Sequence, residues 1–247
     1  MKRLLPHEPI FYIGDLARVP YGGRSPTTVR RYSFEISRLL LERGAKAIVV
    51  ACNTASAVAV PDLRKEFTVP VLGVIDPGAA AAVASTRTGV VGVIGTRATI
   101  ESGAYEEAIH RLNPDITVVS APTPLLVPFI EEGWLEDEVT ERVAARYLAP
   151  LLEANIDTLV LGCTHYPLLK PLLRKVVGPG VSLVDSALNC ALALRDLLHA
   201  MQIAQQPGPE PGHFQVALTD VPGQFMEVAA RALQLELGDV ESIGVPT

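Results

Sequence analysis

One stretch occurs twice in this chain, and it limits the possible folds more than any other feature. Leu40-Leu41-Glu42-Arg43-Gly44-Ala45-Lys46-Ala47-Ile48-Val49-Val50-Ala51-Cys52-Asn53-Thr54 aligns without a gap on Leu151-Leu152-Glu153-Ala154-Asn155-Ile156-Asp157-Thr158-Leu159-Val160-Leu161-Gly162-Cys163-Thr164-His165. Each copy reads as a helix end, a short turn, an apolar β run, then a cysteine and small polar residues. The separation far exceeds the ~20–50 residues of a solenoid repeat. It predicts a duplicated α/β unit. If the halves face each other about a pseudo-twofold axis, two cysteines meet in one cleft.

The rest of the chain alternates in the same manner. Apolar runs at 10–13, 47–51, 71–75, 90–94, 116–120, 183–184 and 214–218, with the run before Cys163, predict strands. Ser25 reads as an N-cap with Pro26 at the first helical position, and Gly44 closes that helix. Further helices are predicted from Asn53 to about 66, over 78–86, onward from Thr99 to about 113, from Glu136 past Leu152, over 187–200 and over 225–235. Pro150 should kink or break the helix that begins at Glu136. Asp76-Pro77-Gly78 reads as a turn, and 122–128 and 205–212 read as loops. Alternating strands and helices with short connections predict two similar parallel-sheet α/β domains, with the active site between them. Residues 1–75 with 186–247 form the first domain, and 76–185 the second. Ligands of such sheets bind beyond the carboxyl ends of the strands, where Asp15, Cys52, Thr96 and Cys163 lie.

Composition removes several function classes. Of 247 residues, 27 are acidic and 21 basic, and no basic cluster stands out, so nucleic acid is not the expected ligand. With aromatic residues at 5%, a base-stacking platform is not expected either. No run reaches the ~20 apolar residues of a membrane helix. Three cysteines without CxxC spacing predict reduced thiols in a cytoplasm.

Each repeated Cys follows a strand and precedes a predicted helix. A helix N-terminus carries about half a positive charge. It lowers a thiol pKa from about 8.5 toward neutrality, and the thiolate is the reactive form. Two opposed thiols suit one kind of chemistry, in which one takes a proton from a carbon and the other returns a proton to the opposite face. A strand Cys standing alone is most often core, and Cys190, without the repeated context, reads as structural. Zinc on Cys52, Cys163 and His165 lacks any short ligand spacing. His165, two residues after Cys163, is placed to orient or protonate a group there. No phosphate-cradling Gly-rich motif is present.

The residues resemble the glutamate racemases of the aspartate/glutamate racemase superfamily. The matching pieces are Gly14-Asp15-Leu16-Ala17-Arg18-Val19-Pro20-Tyr21-Gly22, Ala51-Cys52-Asn53-Thr54-Ala55-Ser56-Ala57, Gly95-Thr96-Arg97-Ala98-Thr99, Val127-Pro128-Phe129-Ile130-Glu131 and Gly162-Cys163-Thr164-His165-Tyr166-Pro167-Leu168-Leu169. The resemblance implies a racemase that uses two bases and neither cofactor nor metal. By similarity Cys52 abstracts the α-proton of D-glutamate and Cys163 that of L-glutamate, with His165 assisting Cys163. Tyr21, Gly22, Asn53, Thr54, Thr164 and His165 match substrate-binding positions. The resemblance also implies a bacterial cytoplasmic enzyme, homodimeric, that supplies D-glutamate for peptidoglycan.

One piece departs from that group. Its members open with a strand ending in Phe-Asp-Ser-Gly, and here nine residues precede the run at Ile10. The repeat points the same way: the 90–94 strand of the second half has no first-half counterpart. Two expectations follow, a sequence beginning at an internal Met or a shortened paralogue, and the intact cysteines favour the first. A first sheet short of its central strand would leave strand edges unpaired. The rival functions are an aspartate or hydantoin racemase, a binding protein that has lost the chemistry, and a zinc protein.

Overall fold

Apolar runs in this chain pair in parallel, and that pairing fixes where the polar residues after each strand end up. The computed structural model describes residues 1–220 and 240–245. Its strands are β1 (Ile10–Gly14), β2 (Ile48–Val50), β3 (Val71–Gly73), β4 (Val90–Gly95), β5 (Thr117–Pro122), β6 (Thr158–Gly162), β7 (Ser182–Asp185), β8 (Phe214–Leu218) and β9 (Val240–Ser242). Its helices are α1 (Pro26–Glu42), α2 (Asn53–Glu66), α3 (Ile75–Ser85), α4 (Arg97–Glu101), α5 (Ala104–Leu112), α6 (Leu126–Glu131), α7 (Glu138–Glu153), α8 (Lys170–Val177) and α9 (Ser186–Ala200). Among the described residues every strand pairing is parallel.

The second half forms one sheet in the order β5-β4-β6-β7. Every residue of β6 is buried, as a strand covered on both faces requires. Leu126, Leu148, Leu151 and Leu173 of α6, α7 and α8 cover one face. Ile75, Ala79, Ala108 and Ile109 of α3 and α5 cover the other.

The first half is divided. β2 pairs with β3, and β1 belongs to a separate ladder, β1-β8-β9. By the repeat, β2 and β3 correspond to β6 and β7, and β1 to β5. β4 lies between β5 and β6, whereas no described strand lies between β1 and β2. Each has an edge without a ladder partner among the described residues, and Tyr12 of β1 is 44% exposed. Elsewhere this half is packed as a parallel sheet should be. Val60 and Leu63 of α2 bury Ile48 and Val71. Leu194 and Leu198 of α9 close on Leu5, Val49 and Leu72.

Local signals explain most element ends. Ser25 Oγ accepts from the Thr28 N–H at 3.3 Å, with Pro26 in the first turn. Gly44 lies just past the end of α1 at φ +79°, a region that glycine enters without strain. Four expectations need correction. The strand expected to reach residue 75 stops at Gly73, and Asp76-Pro77-Gly78 forms the first turn of α3 rather than a turn between elements. A proline needs no N–H partner there, and Asp76 suits the positive helix end. The helix expected to run to 113 splits into α4 and α5 at Gly103, whose φ is +68°. The loop expected at 122–128 already contains the start of α6. Of the kink or break expected at Pro150, the break does not occur, and α7 runs on to Glu153. The helix expected over 225–235 lies outside the described residues.

Asp157 holds the turn between α3 and β4. Its carboxylate accepts from Thr86 Oγ1 at 2.7 Å and from the N–H groups of Arg87 and Thr88 at 2.6 and 2.8 Å. Burial alone would raise its pKa, but these donors hold it well below the usual carboxylate range. The stabilisation is therefore present above the unfolded pKa of about 3.9 and is lost as pH falls through the folded value. Asp157→Asn can keep one oxygen on the two backbone N–H groups, but it removes the charge and sets an NH2 in place of the oxygen that accepts from Thr86. It should cost about 1–3 kcal/mol near pH 7, read from denaturant midpoints. The difference from wild type should shrink as the pH falls below about 4.

Candidate active site

Both repeated cysteines emerge at carboxyl ends of parallel strands. Cys52 follows β2 and is the N-cap of α2, with φ −132° and ψ 127°. Its carbonyl accepts the Ser56 N–H at 2.8 Å. Ser56 Oγ donates to the Val50 carbonyl at 2.9 Å and accepts from the Val74 N–H at 3.2 Å, which ties this turn to the end of β3. Cys163 follows β6 and is 7% exposed. The expectation of a helix immediately after each Cys holds for Cys52 alone. After Cys163 comes a 3-10 turn, Tyr166–Leu169, and α8 begins only at Lys170. A proline at 167 and another at 171 delay the α-helical ladder.

The Cys52 thiol does not follow the low pKa expected of a helix N-terminus. Burial pushes it up, the nearby N–H groups of Ala55 and Thr54 pull it down, and the charge of Cys163 raises it further. Loss of water around the sulfur outweighs the helix end.

His165 and Glu131 complete the second cysteine's surroundings. His165 Nδ1 lies 3.7 Å from Cys163 Sγ, and Nε2 lies 3.4 Å from Glu131 Oε1. Burial disfavours the imidazolium, but the Cys163 sulfur and then the Glu131 carboxylate raise its pKa to about 10. His165 is thus a cation at neutral pH, held between two groups that carry or can carry negative charge.

The halves touch where these strands end. Thr54 Oγ1 is 2.9 Å from Thr96 Oγ1 and 3.2 Å from Thr99 Oγ1, and Thr96 and Thr99 are 3.0 Å apart. Thr96 also caps α4, accepting from the Thr99 N–H at 3.2 Å. Gly22 packs on Thr96 so closely that a Cβ would sit 2.8 Å from the threonine Cβ. Asn53 accepts from the Tyr105 hydroxyl at 2.7 Å. The Tyr21 phenol donates to Asp15 rather than standing free. Asp15 also accepts from Arg18 Nε at 2.9 Å and Thr219 Oγ1 at 3.0 Å, and Arg18 is paired with Glu35. This buried network fixes the backbone of Tyr21 and Gly22. Thr164 is exposed beside Cys163. Of the residues singled out in sequence, Gly22, Asn53 and Thr54 thus meet second-half residues at the junction of the halves, and Cys163 and His165 meet each other. Glu131, Thr99 and Tyr105 complete the arrangement. Glu131 lay in a matched segment without a role, and Tyr105 looked like any apolar residue of an amphipathic helix. Among the described residues no three His, Cys, Asp or Glu side chains gather as metal ligands would. No described helix is long and apolar enough to cross a membrane.

Known proteins are similar to this chain in sequence and in fold. A family model described as Asp/Glu/Hydantoin racemase matches residues 1–192. The chain is 49% identical to a glutamate racemase of Geobacter metallireducens, over 98% of this chain and 90% of the relative. It is 46% identical to one from Neisseria meningitidis, over 98% and 89%. It superposes on a glutamate racemase of Bacillus anthracis with a TM-score of 0.92 at 37% identity, covering 98% of this chain and 90% of the other. On the glutamate racemase of Francisella tularensis in complex with D-glutamate the TM-score is 0.91, with the same identity and coverage.

The imidazole of His165 should titrate near pH 10, not near its ordinary value of about 6.5. The stabilisation from that proton is fully present below the unfolded pKa of about 6.5 and is lost as the pH rises through the folded value. NMR of the imidazole checks this. In Glu131→Gln the midpoint should fall, because one of the two groups holding the proton is gone.

Proposed function

The chain belongs to the Asp/Glu/hydantoin racemase family, and on that premise we propose that it interconverts L- and D-glutamate by proton transfer between two thiols. The observation that carries this reading is geometric: Cys52 and Cys163 stand at parallel-strand ends, one in each half of the repeat, and the halves touch there through Thr54, Thr96 and Thr99. The identity of relatives named glutamate racemase supports the substrate.

Deprotonated Cys163 takes the α-proton of L-glutamate, and Cys52 as the thiol gives its proton to the opposite face of the carbanion. The product is D-glutamate, and the thiols have exchanged protonation states. The reverse reaction starts from the Cys52 thiolate. His165, held by Glu131, stabilises the Cys163 thiolate and returns a proton when the sulfur needs one. The carbanion's charge spreads onto the α-carboxylate, which must be met by fixed donors. Asn53, Thr54 and Thr164 supply these, and Tyr21 and Gly22 contribute through backbone, since the Tyr21 phenol is committed to Asp15. No cofactor or metal is needed for these steps. A raised Cys52 pKa suits this role, because a thiol kept protonated until substrate enters is a ready acid.

The division into residues 1–75 with 186–247, and 76–185, is part of the same reading, and the separate cores of the two halves support it. We place the enzyme as a homodimer in a bacterial cytoplasm, where its D-glutamate enters peptidoglycan. A second reading, a binding protein without turnover, draws on the edges of β1 and β2 that have no ladder partner among the described residues. An aspartate or hydantoin substrate is separated from glutamate by a substrate panel.

Purified chain should racemise either enantiomer of glutamate without added cofactor, followed by circular dichroism. Cys52→Ser and Cys163→Ser should each lower kcat/KM by at least about 10²-fold, since each removes a positioned proton-transfer group. Binding of glutamate without any racemisation would favour the second reading.

A further inference from the structure

Tyr105 belongs to the second half, yet its hydroxyl ends on the first. It is 3% exposed, and it donates to Asn53 Oδ1 at 2.7 Å. Two glycines make room for it. A Cβ on Gly162 would lie 3.2 Å from Tyr105 Cε2, and a Cβ on Gly78 would lie 3.1 Å from both Cε1 and the hydroxyl. The ring therefore rests on the residue before Cys163 while the hydroxyl holds the residue after Cys52.

That bond has a consequence for the amide. Asn53 is 2% exposed, and its Nδ2 is buried without a hydrogen-bond partner. An asparagine amide can flip, exchanging donor for acceptor. With the hydroxyl donating to Oδ1 the amide is held with Nδ2 turned away from Tyr105; a flipped amide would make the phenolic oxygen the acceptor and leave its own proton to find another acceptor. A buried donor with no acceptor is costly and rare unless a ligand or water meets it. Asn53 sits in the first turn of α2, next to Cys52, so this donor belongs to the reacting centre.

We propose that Tyr105 is a positioning residue: across the junction of the halves it locks the Asn53 amide with its NH2 presented to an anionic group of the substrate. The ligand class is a carboxylate, and the inference rests on the racemase reading only for its identity as that of glutamate. Tyr105 touches no reacting atom and acts through Asn53.

Equilibrium binding of glutamate by calorimetry and steady-state kinetics test this on four proteins: wild type, Tyr105→Phe, Asn53→Ala and the double variant. Tyr105→Phe keeps the ring in its place. It should weaken binding and raise KM about tenfold, the scale of one hydrogen bond of about 1.4 kcal/mol, with kcat within about twofold. In the Asn53→Ala background the same change should add nothing, a non-additivity that general loosening of the fold would not produce. Gly78→Ala perturbs the same hydroxyl from the other side. It should raise KM in the same direction although alanine favours the helix. An unchanged KM in Tyr105→Phe, or an equal effect with and without Asn53, overturns the inference. Calorimetry separates this from failure of the racemase reading. A wild type that binds glutamate without turning it over would overturn that reading alone, while the binding cycle would still decide the role of Tyr105.

Discussion

The contact between the two halves at their strand ends is what the rest of the site depends on. At the strand ends it is made of polar side chains and close backbone. Thr54 meets Thr96 and Thr99, Gly22 lies against Thr96, and Asn53 is held by Tyr105. Each side of this contact sits beside a cysteine-bearing turn or a capped helix start. Side chains this short transmit the position of one strand end to the other with little slack. A methyl group on Gly22 would push the halves apart where the substrate must be gripped.

Across that junction the two thiols have different surroundings. Cys52 loses water and is pushed up despite the helix N–H groups around it. Cys163 has His165 Nδ1 at 3.7 Å, and the other nitrogen of that ring lies 3.4 Å from Glu131. The two copies of the repeat supply similar backbones, and their neighbours supply the difference.

Much of this was legible in the sequence, for reasons that can be named. The repeat placed Cys52 and Cys163 at equivalent strand ends because a parallel sheet is built from continuous apolar runs. Ser25 and Gly44 marked the two ends of α1 because capping is local chemistry. That β1 and β2 each have an edge without a ladder partner among the described residues followed from counting strands in the two copies. What was illegible depended on tertiary surroundings. Asp76-Pro77-Gly78 has turn composition, and only packing of α3 against β4 and β6 makes it a helix start. The helix end beside Cys52 suggested a low pKa because the burial that reverses it cannot be read from one segment. Tyr105 gave no signal, since its meaning lies in the glycines at 78 and 162 and an asparagine in the other half.

Everything above turns on two different groups handling the proton on the two faces of the substrate carbon. The decisive experiment is racemisation of each glutamate enantiomer in D2O, stopped after a small fraction of turnover. Thiol protons exchange with solvent, so a two-base path should place deuterium at Cα of the product while the unreacted substrate keeps its protium, from either direction. Protium carried over into the product, or deuterium entering the recovered substrate as fast as product forms, would mean that one group serves both faces and would contradict the two-thiol mechanism.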